Sequence, residues 1–314
     1  PVLHQLSEKV KQADHFLYQP GHTHLFGGYF DVPEGRTLGQ NPPNGAVIHY
    51  QLKDSLDQEV KLEFYDDSGD LVRSFSSKED LEGNEVKASS EFYEEPGETQ
   101  SDVLTSHAGL NTFMWNMRYA GATDLEGTQI LWAGSTRGPK AVPGTYTVKL
   151  IVEDETVGEQ PFEIRKDPRL EASRNDLIAQ FELTQQIVDK LDETHKAIND
   201  IRDAKEQVNE LLEKQKDNED VKRIAEPLLE SLGDIEAELV QVKAESFQDV
   251  LNYPIKLNNK LAALANTVAT GYNRPTEQEY AVFKDLSARV DEQLDKLEPL
   301  LKGEIQTLME EVQS

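Results

Sequence analysis

The stretch GLNTFMWNMRYAGA, Gly109 to Ala122, places a tryptophan, a phenylalanine, two methionines and an arginine in a chain that is otherwise acidic and polar. Its alternation assigns its character. Successive side chains of an extended chain point to opposite faces, so Phe113, Trp115 and Met117 project one way while Met114, Asn116 and Arg118 project the other. That is the pattern of a strand with one buried face, and it makes Trp115 a core residue rather than a sugar-stacking platform. Arg118 and Tyr119 read as anchors of the strand end, not as ligand contacts.

Working outward, the same period recurs. AVIHYQL (46–52) and VKLEFYDDSGDLVRSF (60–75) alternate, with Val60, Leu62 and Phe64 on one face and a turn at DDSGD, which predicts a β-hairpin. VPGTYTVKLIVED (142–154) adds a Pro-Gly turn and another strand. Several short strands with turn signals and no helical period between them predict an antiparallel β-sandwich over 46–167. Residues 1–45, dense in Gly, Pro and Asn, read as an extended connector. Ser76 to Asp102 is acidic and aperiodic and is expected to be a long exposed loop.

Beyond RKDPRLEAS (165–173) the period becomes helical. Leu177, Phe181, Val188, Leu191 and Ile198, continued by Ile201, Val208 and Leu211, predict a helix of about 40 residues or about 60 Å. Ser173 with Asp176 resembles a capping box at its start, and Thr276 with Glu279 forms a second. Val221 to Leu239 predicts a helix interrupted or kinked at Pro227. LNYPIKLNNKLAALANTV predicts a third starting near Pro254, and Val282 to Leu297 a long last one. Short connections imply an antiparallel helical bundle over 168–314. The whole is multidomain, mixed α and β.

Composition bounds the partners. Asp and Glu number 59 against 32 Lys and Arg, a net charge of −27, which repels nucleic acid and anionic membrane at long range. Solvated acidic helix faces suffice to explain the excess. The chain has no cysteine, which removes disulfides and thiolate chemistry. No run of 18 or more apolar residues is present to span a membrane. The first residue is Pro1, which suggests a processed protein or a piece of a longer one.

Candidate chemistry is sparse. His22-x-His24 has metal-ligand spacing but no third ligand in step with it. His195 lies beside an apolar helical stripe, where a packing role fits best. DDSGD lacks the full spacing of a calcium loop. Asn258, Asn259 and Lys260 of LNNK can meet a ligand, yet amides bridging helices explain them. Hydrolase, phosphate-loop, zincin and dinucleotide signatures do not occur. No catalytic, cofactor-binding or metal residue is therefore assigned, and no cofactor is expected.

GQNPPNGAVIHYQL, GLNTFMWNMRYAGA, GPKAVPGTYTVKL, DVLNYPIKLNNKLAAL and RPTEQEYAVFKDLSARVDEQLDKL, in that order, resemble the C-terminal region of bacterial BNR/Asp-box, sortilin-like β-propeller proteins, often labelled glycosyl hydrolase. The resemblance implies a FlgD-like immunoglobulin-type sandwich plus helical bundle lying downstream of a propeller. It implies export to periplasm or exterior, with the propeller itself, another protein or a glycan as partner and oligomerisation through the bundle. Asp-box repeats do not occur in this sequence, so no propeller-borne activity transfers. The expected function is a non-catalytic accessory module. The alternatives are part of a glycosidase whose active site lies in the propeller or at its junction with 1–45, or a carbohydrate-binding sandwich.

Overall fold

The structure, a computed structural model, describes residues 2–26, 44–78, 103–125, 133–305 and Leu308. The expected acidic loop lies outside the described residues from position 79 to 102. The chain divides into two compact units: Pro1–Ala120 with Pro139–Phe181 and Gly271–Asn273, and Gly121–Gly138 with Glu182–Thr270 and Arg274–Ser314.

The described residues of the first unit form eight strands. They are β1 (His15–Leu17), β2 (Thr23–Leu25), β3 (Ala46–Leu52), β4 (Val60–Tyr65), β5 (Leu71–Ser76), β6 (Gly109–Trp115), β7 (Gly144–Val152) and β8 (Glu155–Lys166). One sheet runs β1-β3-β6 and the other β2-β8-β7-β4-β5. Both contribute to one apolar core. The alternation noted in the sequence is the alternation of burial: β3 buries Ala46, Ile48, Tyr50 and Leu52, and β4 buries Val60, Leu62 and Phe64. Register places Ala46 opposite Trp115 and Ile48 opposite Phe113 in the first sheet, and Phe64 opposite Val148 in the second.

Trp115 sits at the centre with no exposed surface. Phe64 stacks on it at 4.5 Å between centroids, Tyr146 and Phe162 meet it edge-on at 5.8 and 6.2 Å, and its indole N–H donates to the Arg118 carbonyl at 3.0 Å. This satisfies the one polar atom that burying an indole would otherwise strand. DDSGD closes the β4–β5 hairpin: Asp66 Oδ1 accepts from the Ser68 and Asp70 amides at 2.9 and 3.0 Å, and Gly69 supplies a φ of +86°.

Two expectations need correction here. The described part of 1–45 is not an extended connector. It forms a 3₁₀ turn (Val2–Gln5), a short helix α1 (Glu8–Gln12) and two sheet strands that bury Leu17 and Leu25. Strands of three residues are too short for a period of two to register. Nor is the strand pairing wholly antiparallel, because β2 lies parallel to β8 with Thr23 opposite Ile164.

In the second unit four α-helices among the described residues share one core. Helix α2 spans Arg174–Lys214, its first two turns belonging to the first unit, followed by α3 (Glu219–Leu239), α4 (Leu257–Ala269) and α5 (Glu277–Pro299). Both capping boxes form: Ser173 and Asp176 exchange bonds at 2.6 to 3.2 Å ahead of α2, and Thr276 and Glu279 do so at 2.6 to 3.3 Å ahead of α5. Helix α3 starts where the Asn218 side chain caps the Asp220 and Val221 amides, and it continues through Pro227 without interruption. Helix α4 begins at Leu257, three residues beyond Pro254, which precedes the helix instead of occupying its first turn.

Candidate functional site

The polar residues of α2 are arranged more regularly than its acidity suggests. Asp192, His195, Asn199, Arg202, Glu206, Asn209 and Glu213 recur at alternating intervals of three and four. At 3.6 residues per turn this is one face of the helix, distinct from the apolar stripe through Leu191, Ile198, Ile201 and Val208.

The N-terminal part of the stripe is occupied. The segment that leaves β6, from Gly121 to Leu125, belongs to the same unit as the helices. The Thr123 amide and hydroxyl both donate to Asp192 Oδ1, at 2.8 and 2.6 Å. The Thr123 carbonyl pairs with His195 Nδ1 at 2.6 Å, and Asn199 donates to the Asp124 carbonyl at 3.3 Å. Ala122 and Leu125 pack against the helical core on either side of these bonds. A carbonyl can only accept, so His195 carries its proton on Nδ1 and presents Nε2 as a bare acceptor. That atom is buried without a partner, as is Asn199 Oδ1. Burial pushes the His195 pKa down to about 4; the Thr123 carbonyl and Asp192 oppose this, and Arg202 adds to it. Burial also works against ionised Asp192, but Lys196 and Thr123 outweigh it and hold the carboxyl below its ordinary value.

The C-terminal part of the stripe lines an open groove of about 730 Å³, bounded by Arg202, Lys205, Glu206, Asn209, Glu213 and, from α3, Glu236. Glu236 is buried, its carboxylate bridging Arg202 Nε at 2.8 Å and Lys205 Nζ at 2.9 Å. Burial disfavours its charge, yet the two cations hold its pKa below the usual glutamate value. Those three charges therefore satisfy one another. Glu206 and Asn209 are exposed and have no partner among the described residues. The groove's one buried carboxylate among the described residues, Glu236, is committed to these two cations.

The other residues singled out in the sequence are dispersed. His22 and His24 meet edge-on at 5.4 Å, and His24 stacks on Phe26 at 5.2 Å. Among the described residues no group of three or more His, Asp or Glu is placed to hold a metal ion. Asn258 and Asn259 are buried in the first turn of α4. Tyr119 packs against Phe181 at 4.7 Å, and burial pushes its hydroxyl pKa up to about 12. Sequence reasoning placed His195 in packing but missed the Gly121–Leu125 segment. The available signal was the three-four spacing of the polar stripe, which on its own is indistinguishable from a solvated helix face.

No family model matches the chain, and no curated protein matches it. A solved structure, pT26-6p, aligns with 85% of this chain and 46% of its own length at 13% identity and a TM-score of 0.17. At that score the likeness carries no argument about fold or function.

Proposed function

We propose that the chain is a non-catalytic accessory and interaction module belonging to the C-terminal part of an exported, bacterial BNR/Asp-box β-propeller protein. In this reading the eight-stranded unit is a FlgD-like, immunoglobulin-type sandwich and the helices form an antiparallel bundle. The sandwich holds the module to its propeller, and the bundle presents a surface to another protein or to a second copy. The observation that supports it is the α2 groove, an open concavity lined by charged and polar side chains, of which the exposed Glu206 and Asn209 have no partner among the described residues. Its openness to solvent suits a polypeptide better than a small molecule, which favours an enclosed pocket. Complete burial of Trp115 weighs against the carbohydrate-binding alternative, which needs that ring exposed.

The test is turnover. Purified 1–314 is expected to leave sialosides, xyloglucan and aryl glycosides intact, with or without calcium. Glycoside hydrolysis needs two carboxylates about 5 to 9.5 Å apart around a sugar pocket. Hydrolysis that follows the purified protein and vanishes on changing one carboxylate would refute the reading.

A further inference from the structure

The occupied and open parts of the α2 stripe repeat one another. Asp192, His195 and Asn199 are followed, fourteen residues on, by Glu206, Asn209 and Glu213. Fourteen residues are close to four turns, so the second trio lies about 21 Å further along nearly the same face. The first trio shows what such a set holds: a non-helical segment whose threonine amide and hydroxyl sit on the first carboxylate and whose carbonyl meets the second residue. Glu206 can take the role of Asp192 as acceptor for an amide and a hydroxyl, and the Asn209 side-chain NH₂ can take the role of His195 Nδ1 as donor to a carbonyl.

The third position differs. Asn199 donates to the carbonyl of Asp124, whereas Glu213 can only accept, and its present partner is an exposed lysine, Lys216, at 2.7 Å. An exposed ion pair three residues apart on a helix is readily exchanged for another. A bound segment should therefore carry a lysine or arginine where the docked segment carries Asp124. The charge around the groove agrees: Arg202 and Lys205 are engaged by Glu236 and Lys214 by Glu210, leaving the Glu206 carboxylate without a cation among the described residues.

Resting on the interaction-module reading, we infer that the groove from Arg202 to Glu213 binds a non-helical basic segment of a partner protein, with a hydroxyl residue on Glu206 and a cationic residue after it on Glu213. The occupant follows the pattern of Gly121–Leu125.

The test uses the full chain and two fluorescein-labelled, C-terminally amidated peptides. One is GATKL, the docked segment with Asp124→Lys, and the other is the unaltered GATDL. Anisotropy titration at low salt is expected to show saturable binding of GATKL at least tenfold tighter than of GATDL, weakening as salt is raised. The variant Glu206→Lys, Asn209→Ala, Glu213→Lys should weaken GATKL at least tenfold while its thermal melt stays that of the parent. Equal binding of the two peptides, or no saturable binding at millimolar protein, would overturn the inference, and neither outcome depends on how the variant folds. Sedimentation in which the triple variant dissolves a dimer of the parent would assign the groove to a second copy and overturn it as well. Each of these failures leaves the glycoside test standing, so the loss of one reading is distinguishable from the loss of the other.

Discussion

Trp115, on β6, is the largest fully buried side chain, and three strands of the facing five-stranded sheet close on it: Phe64 from β4, Tyr146 from β7 and Phe162 from β8. Trp115→Ala is expected to destabilise that unit by about 3–5 kcal/mol, the usual cost of deleting a large buried aromatic. Denaturant unfolding followed by circular dichroism checks it, and a loss under about 1 kcal/mol would place the ring outside the core. His195 makes a different kind of claim at the same scale. Its folded pKa of about 4 lies below the ordinary histidine value of 6.5, so between those limits the unfolded chain binds the extra proton. Stability from neutral His195 is then fully present above pH 6.5 and is lost as pH falls toward 4. A shift of that size corresponds to roughly 3 kcal/mol. Unfolding free energies at pH 7 and pH 4 should differ more for the parent than for His195→Gln, which cannot titrate. Identical pH profiles would show that the ring is not held neutral in the fold.

Among the elements, the helix starts were the most legible features, because a cap is a local signal written within four residues. Thr276 and Glu279 form the box that their spacing specifies, and Thr276→Ala is expected to cost about 1 kcal/mol through the lost bond to the Glu279 amide. A thermal melt unchanged within error would mean that α5 does not depend on its cap. Long strands with a buried face were equally legible, since β3, β4 and β7 each sustain a period of two over six residues or more. What the sequence did not reveal is long-range pairing. Nothing local distinguishes Thr23–Leu25 from a loop, and its parallel register depends on β8, about 140 residues away. The same holds for Gly121–Leu125, which has no period and acquires meaning only where Thr123 meets Asp192. Helix α3 shows tertiary packing prevailing over a local breaker: Leu228, Leu232 and Ile235 are buried beyond Pro227, and the Ser231 hydroxyl donates back to the Pro227 carbonyl one turn earlier. The groove was not read from the sequence, because acids at helical spacing read alike whether they face solvent or a partner.

For the whole molecule, the decisive feature is where its compact units divide. A change of period near residue 168 suggests a cut between 167 and 168, yet the helical unit also includes Gly121–Gly138, which precedes β7 in the chain. That excursion is bound to the helices along its described length: Thr123 on Asp192 and His195, the Asp124 carbonyl on Asn199, the Ala133 carbonyl on Asn266 at 3.1 Å, and the Ser135 amide on the Ala262 carbonyl at 3.3 Å. Ala122 and Leu125 add apolar contact with the core. A fragment beginning at 168 keeps α2 to α5 but strips His195 of its hydrogen bond to the Thr123 carbonyl. Each buried polar group left without a partner costs about 1–3 kcal/mol, less where water can enter the vacated site. Such a fragment is therefore expected to be helical by circular dichroism but to unfold at clearly lower denaturant than the helical transition of the intact chain. A synthetic peptide covering 121–138, added in trans, should restore part of the difference in proportion to its concentration, because a ligand that binds only the folded state stabilises it by mass action. The same peptide with Thr123→Val keeps its apolar contacts and loses the hydroxyl bond to Asp192, so it should restore less. A fragment as stable as the helical transition of the full chain and indifferent to either peptide would show that the excursion only rests on the helices, and the division would then belong at 168 after all.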